Sequence, residues 1–166
     1  REEMTAGRYF VERHRKNKGL CLVYGDNNPN HPLIAIACAA RLGMDVVALD
    51  VDRGGKIAQI KALFPDTNFI TRDKMASAPF LRQLSVSYIH LYPTEWIGTA
   101  RQAVSCAITG TPCIGSHESH TQRRLYPESL AKGPYDVDGM VEAAERLLSD
   151  DAYYDHVAAD AFERAR

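Results

Sequence analysis

The chain lacks an excess of charge of either sign. Twenty Lys and Arg stand against 21 Asp and Glu, a formal net charge of −1 over 166 residues. A surface that grips nucleic acid needs clustered Lys and Arg for the phosphates, so this balance argues against that class. No apolar run approaches the roughly 20 residues that cross a bilayer, and no signal-peptide pattern is visible. There is no CxxC pair: Cys21, Cys38, Cys106 and Cys113 stand apart, each in an apolar stretch. That spacing argues against a zinc site and for buried free thiols in a cytoplasmic protein. "YGDNNPN" lacks GxGxxG at the first turn, which weighs against a nicotinamide-binding domain. An initial Met is missing as well, and the expectation is a domain excised from a longer chain.

What is present alternates. "LCLVYG" (Leu20 to Gly25) reads as a strand buried on both faces, "DVVALDV" (Asp45 to Val51) as a second, "TNFIT" as a third, "SYIHLYP" (Ser87 to Pro93) as a fourth and "TPCIGS" (Thr111 to Ser116) as a fifth. Between them lie helical patterns. "HPLIAIACAARLG" has Pro in the first turn and Gly past the end; "KIAQIKALF", "APFLRQLSV" and the stretch opened by Gly98 and Thr99 follow. "DVDGMVEAAERLLSD" has an Asp cap and Val141, Ala144, Leu147 and Leu148 on one face, and a last helix runs through "DAYYDHVAADAFERAR". A first helix is expected over Met4 to Lys16, its basic end "RHRKNK" complementing its own dipole. "HESHTQRRLYPES" reads as a polar loop. The pattern predicts one α/β domain over residues 1–166, a parallel sheet with helices on both faces. Ligands of such sheets bind at the carboxyl ends of the strands.

Three pieces, in order and spacing, resemble the C-terminal, donor-binding domain of GT-B glycosyltransferases of the retaining, glycogen- and sucrose-synthase-like group. They are "VSYIHLYPTEWIG", "AVSCAITGTPCIGS" and "DVDGMVEAAERLLSDDAYYDHVAADAFERA". The resemblance covers nearly the whole chain. It implies a Rossmann-like half of a GT-B fold that binds a nucleotide diphosphate sugar, with the acceptor site on a missing N-terminal domain. The implied enzyme transfers a hexosyl group, the fragment alone being inactive, and no cofactor or metal is implied.

The diphosphate needs compensation for about two negative charges, and a helix N-terminus offers free N–H groups and a positive dipole end. Gly98 and Thr99 open the helix after the "TEWIG" turn, and Gly98 permits close approach. The family's paired glutamates, eight residues apart, fall on Ile97 and Ser105, neither acidic. Glu95 and Gln102 lie nearby, seven apart; Ser105 retains a hydroxyl for hydrogen bonding. The family's basic first loop is here "GDNNPNHP": Asp26 repels phosphate, while Gly25, Asn27, Asn28 and His31 offer neutral contacts. Arg53, Lys56 and Arg72 from later loops, or Arg123 and Arg124, are the remaining sources of positive charge.

Two other groups invite chemistry. His117, Glu118 and His120 form a polar cluster read as loop or sugar contact before metal site. His90, flanked by Ile89 and Leu91, reads as a core or supporting histidine. Trp96, the only Trp, reads as packing, and the tyrosines of "YIHLY" and "AYYD" as core. The missing acids motivate an alternative: a degenerate GT-B domain without donor binding, acting as an assembly module. A sugar-nucleotide epimerase of the same architecture ranks last, because its carboxylates and His are not identifiable.

Overall fold

Leu20, Cys21, Leu22 and Val23 are all buried, as a strand covered from both sides must be. In the computed structural model, which describes residues 8–24, 31–49, 57–73, 75–95 and 100–166, they form the middle of β1 (Asn17–Tyr24). The following elements are α1 (Pro32–Arg41), β2 (Asp45–Leu49), α2 (Ile57–Leu63), β3 (Phe69–Arg72), α3 (Ser77–Val86), β4 (Ser87–Leu91) and α4 (Arg101–Thr109). Then come β5 (Cys113–Ser116), α5 (His120–Leu125), β6 (Leu130–Ala131), α6 (Val137–Ser149) and α7 (Asp151–Ala165).

The strands form one six-stranded sheet in the order β3-β2-β1-β4-β5-β6, every pair parallel. This is the doubly wound, Rossmann-like arrangement. One helix group pairs α1 with α6; the other joins α3 to α4 and α4 and α5 to α7, as right-handed crossovers running in both directions from the centre require. The winding reverses between β1 and β4, which makes their carboxyl ends the switch point where sheets of this kind take ligands.

Most expected elements are present, with ends shifted by a few residues. Three expectations are corrected. Residues 8–12 are not helical and only a 3-10 turn, Arg13–Arg15, precedes β1; residues 1–7 of the expected first helix lie outside the described residues. The stretch read as a polar loop contains α5, held by Ser119 accepting from the Gln122 N–H, and Gln122 and Leu125 are buried. A sixth strand, only two residues long, follows it. The four cysteines are free and buried; burial pushes the Cys21 thiol up and that of Cys38 up to about 11, so neither is reactive. Tyr154 donates to Tyr88 O at 2.7 Å and Tyr126 to Thr111 O at 3.1 Å, which makes them core tyrosines with satisfied hydroxyls.

The basic run has a different role from the one expected. Arg13 reaches Asp151 at 2.9 Å and Asp155 at 3.1 Å on α7. Lys16 turns inward and is 7% exposed. Its Nζ donates to Ser85 O at 2.8 Å, Thr109 O at 3.1 Å and Thr111 Oγ1 at 3.0 Å. Ser85 is in the last turn of α3 and Thr109 ends α4, so the ammonium sits at the negative ends of two helix dipoles. Thr111 spends its own proton on Leu84 O at 2.8 Å, so Nζ meets three acceptors and no donor among the described residues. Gly110 makes the turn into this site: it caps α4 with φ 65, and a Cβ there would stand 2.8 Å from the Phe10 ring.

Replacing Lys16 by Met strips these acceptors of their donor. It should cost about 2–4 kcal/mol in urea unfolding at neutral pH; a loss within error of zero would remove the clamp from this account. Burial drives the Lys16 ammonium from 10.5 down to about 7. Between those values the unfolded chain holds a proton that the folded chain has released, so the residue's contribution to stability is full above the window and falls as pH drops through it. Wild type should therefore gain on Lys16→Met as pH rises from neutral toward about 10; a pH-independent difference would contradict the depressed value.

Candidate functional site

At the carboxyl ends of the strands, three segments distant in sequence meet. His31 is the residue before Pro32 and the N-cap of α1. Its φ of 36° is the only positive value outside glycine among the described residues. A residue before proline is normally driven to extended backbone, so this conformation costs on the order of 1–3 kcal/mol and persists only where the surroundings hold it. Glu95 lies in the segment leaving β4. His31 Nε2 stands 3.2 Å from Glu95 Oε1, yet off the line a hydrogen bond requires, and this buried nitrogen has no well-directed partner among the described residues. Tyr135, between β6 and α6, donates its hydroxyl to the same Oε1. Its ring lies 4.6 Å from the His31 ring, tilted by 53°. The bond to the Glu95 carboxylate holds the Tyr135 phenol above its ordinary value.

Beneath this cluster is a second histidine with no access to solvent. His90 is fully buried on β4. Nδ1 lies 2.8 Å from Leu22 O on β1 and Nε2 lies 3.0 Å from Gln102 Oε1 on α4. Burial lowers the His90 value below the ordinary one, so the ring is neutral with its proton on Nδ1. Both contacts are then satisfied with the Gln102 amide nitrogen turned toward the ring. His90 is the supporting residue expected of it, and Gln102 belongs to its network.

The floor between β4 and β5 is fixed by α5. Gln122 is fully buried; its Nε2 donates to Tyr92 O at 2.9 Å and its Oε1 accepts from Ser116 N at 2.9 Å. Gly115 leaves the space it occupies, since a Cβ there would fall 2.0 Å from Gln122 Nε2. Thr121 Oγ1 accepts from the N–H of Ala100, the N-cap of α4, at 3.1 Å. The N–H groups of Arg101 and Gln102 have no acceptor among the described residues, and Arg101 is exposed. The described helix thus begins at Arg101, three residues past Gly98.

Of the residues singled out from sequence, Gly25, Asn27, Asn28, Arg53, Lys56, Gly98 and Thr99 lie outside the described residues, as do Asp26, Trp96 and Ile97. The structure brings His31 and Glu95 together. Arg72 ends β3 on the far edge of the sheet, and Arg123 is on α5; both are exposed and neither contacts the His31–Glu95 pair among the described residues. Ser105 is half-buried in the body of α4, where its carbonyl accepts from Thr109. Tyr135 escaped the sequence reading: it lies 40 residues from Glu95 and carries no local pattern beyond preceding a helix cap. Among the described residues no three His, Cys, Asp or Glu are grouped to hold a metal ion, and no helix is long and apolar enough to cross a membrane. A groove of about 460 Å³ opens at the opposite, amino edge of the sheet, between Phe10, Arg13 and Gly110 on one side and Tyr154 and Ala158 of α7 on the other.

The Gly115–Gln122 fit yields a direct test. Gly115→Ala should destabilise the fold by about 1–3 kcal/mol through overpacking. The double variant Gly115→Ala/Gln122→Ala should lose less stability than the sum of the two single losses, visible as coupling in a double-mutant cycle. Strict additivity would mean that the two side chains do not share the space.

No family model matches the chain, and no curated protein matches it. Solved structures do. Sucrose-phosphate synthase from Thermosynechococcus elongatus superposes with a TM-score of 0.79 at 16% identity, covering 97% of this chain and 46% of that one. A UDP-forming α,α-trehalose-phosphate synthase from Burkholderia xenovorans gives 0.69 at 16% identity, covering 93% and 41%. TarM gives 0.73 at 10% identity, covering 94% and 33%. The chain thus spans less than half the length of each of these proteins. At such identities the likeness is one of fold, and it bears out the resemblance read from the sequence: the chain has the Rossmann-like fold of a GT-B glycosyltransferase domain.

Proposed function

We propose that the chain is the donor-binding domain of a glycosyltransferase, binding a nucleotide diphosphate sugar whose hexosyl group passes to an acceptor held by another part of a longer protein. The observation that supports this most is the meeting of His31, Glu95 and Tyr135 at the switch point between β1 and β4. That switch point is where sheets of this order take their ligands, and strained, incompletely satisfied polar residues from separate elements are gathered there. In this reading the start of α4 faces the diphosphate, with Gly98, Thr99 and the N–H groups of Arg101 and Gln102, which have no acceptor among the described residues. Gly25, Asn27, Asn28 and His31 supply neutral contacts from the first loop. Arg53, Lys56, Arg72 and Arg123 are the sources of positive charge, and Glu95 and Ser105 stand for the absent glutamates. The domain's catalytic contribution is stabilisation of the leaving diphosphate by fixed dipoles and cations.

The test is a thermal-shift and calorimetric titration of the 166-residue chain with UDP, GDP, ADP and their glucose conjugates. One base should stabilise saturably, by about 2.7 kcal/mol at a hundredfold excess over Kd, and Gly98→Asp should abolish the effect. A flat response to all three bases at millimolar concentration would overturn the reading.

A further inference from the structure

His90 is a buried titratable residue on a central strand, and the donor-domain reading gives it no work. Its face of β4 carries a polar stripe toward the carboxyl end. The Tyr92 ring stacks on the His90 ring at 5.5 Å and 16°, and the Tyr92 hydroxyl is hydrogen-bonded to Thr94. Opposite stands Gln102, in the first turn of α4. His90 Nδ1 lies 2.8 Å from Leu22 O. A carbonyl only accepts, so this nitrogen carries a proton whether the ring is neutral or charged. Nε2 lies 3.0 Å from the Gln102 side-chain amide. A neutral ring offers that amide a lone pair and takes its N–H; a charged ring offers an N–H and takes its oxygen. The amide answers either by turning about its last bond. Its oxygen and nitrogen lie on opposite sides of one carbon, so the atom that does not meet His90 is turned away from it, and no described residue bonds to that atom.

Among the described residues no carboxylate competes for the His90 proton. Cys113 is in register with His90 on β5 and its thiol meets that of Cys106 on α4. Burial keeps the Cys106 thiol protonated and pushes the Tyr92 phenol up to about 12. The charged residues of α3, α4 and α5, Arg82, Arg101, Arg123 and Arg124, are exposed. Burial also lowers the His90 value, so the neutral ring prevails at pH 7 and its proton uptake falls on the acid side of the ordinary histidine range.

We propose that His90 is a positioning residue for the diphosphate end of α4, and that its proton switches the Gln102 amide there from presenting an oxygen to presenting an N–H. The inference rests on the donor-domain reading and adds regulation of that site by pH. An amide oxygen repels an anion and an amide N–H binds it, and the ring's positive charge beneath favours the anion further. Diphosphate affinity therefore rises as His90 takes up its proton. By linkage, bound diphosphate favours the protonated ring by the same factor.

The experiment titrates wild type and Gln102→Met with UDP, GDP and ADP by calorimetry, from pH about 8 to about 5, and follows the His90 ring resonances of wild type by NMR with and without the preferred diphosphate. Gln102→Met keeps the length and helix preference of the side chain and removes the amide. Across that range wild type should gain about fivefold in affinity relative to Gln102→Met; the comparison cancels the titration of the nucleotide's own phosphate. Bound diphosphate should move the His90 midpoint upward. Parallel affinity profiles for the two proteins, or a His90 midpoint that bound diphosphate leaves in place, overturn the switch and leave the donor domain standing. Binding of no nucleotide by wild type at any pH overturns both.

Discussion

A single buried lysine holds the frame in register. Lys16 stands just ahead of β1 and ends two helices at once, taking carbonyls from α3 and α4 together with the Thr111 hydroxyl. α4 is a nine-residue rod, rising about 1.5 Å per residue. Pinning its last carbonyl at the amino edge of the sheet sets where its first N–H groups emerge at the carboxyl edge. Lys16 therefore fixes, from the far side of the domain, the direction in which the candidate phosphate-facing end of α4 points. The neighbouring Gly110, Thr111 and Pro112 serve the same frame. Gly110 supplies the left-handed turn, Thr111 joins the clamp, and Pro112 O accepts from His90 N at 2.9 Å.

The two edges of the sheet are built on opposite principles. At the amino edge Lys16, Thr109 and Thr111 are all hydrogen-bonded and the hydroxyls of Tyr126 and Tyr154 are committed. At the carboxyl edge His31 is strained, its Nε2 has no well-directed partner among the described residues and Tyr135 is exposed. Local consistency is given up where a ligand would supply what is missing. His90 links the two zones, since it lies on β4, leans on the β1 backbone and steadies Gln102 in the first turn of α4.

The legibility of the sequence follows from which forces act locally. β1 could be read because burial on both faces leaves an uninterrupted apolar run, and β4 because "SYIHLYP" alternates and ends at Pro. α6 could be read because its Asp cap and apolar stripe lie within one segment. β6 could not, since a two-residue strand has no period, and α5 could not, because its buried contact is a glutamine that no hydropathy pattern distinguishes from a loop residue. The basic run misled for a related reason: Lys16 does complement helix dipoles, but those of helices about 70 and 90 residues further along. The candidate site was legible as loops and as His31 and Glu95; their pairing through Tyr135 is a tertiary fact.

Gln122 has a consequence for motion. Its amide stitches the backbone leaving β4 to that leaving β5, and Gly115 leaves no slack around it. Shifting one of these rims against the other breaks two buried hydrogen bonds and drives the side chain into its neighbours. The β4 and β5 backbones are therefore tied together at Tyr92 and Ser116, and any displacement of one strand end against the other carries the cost of both bonds.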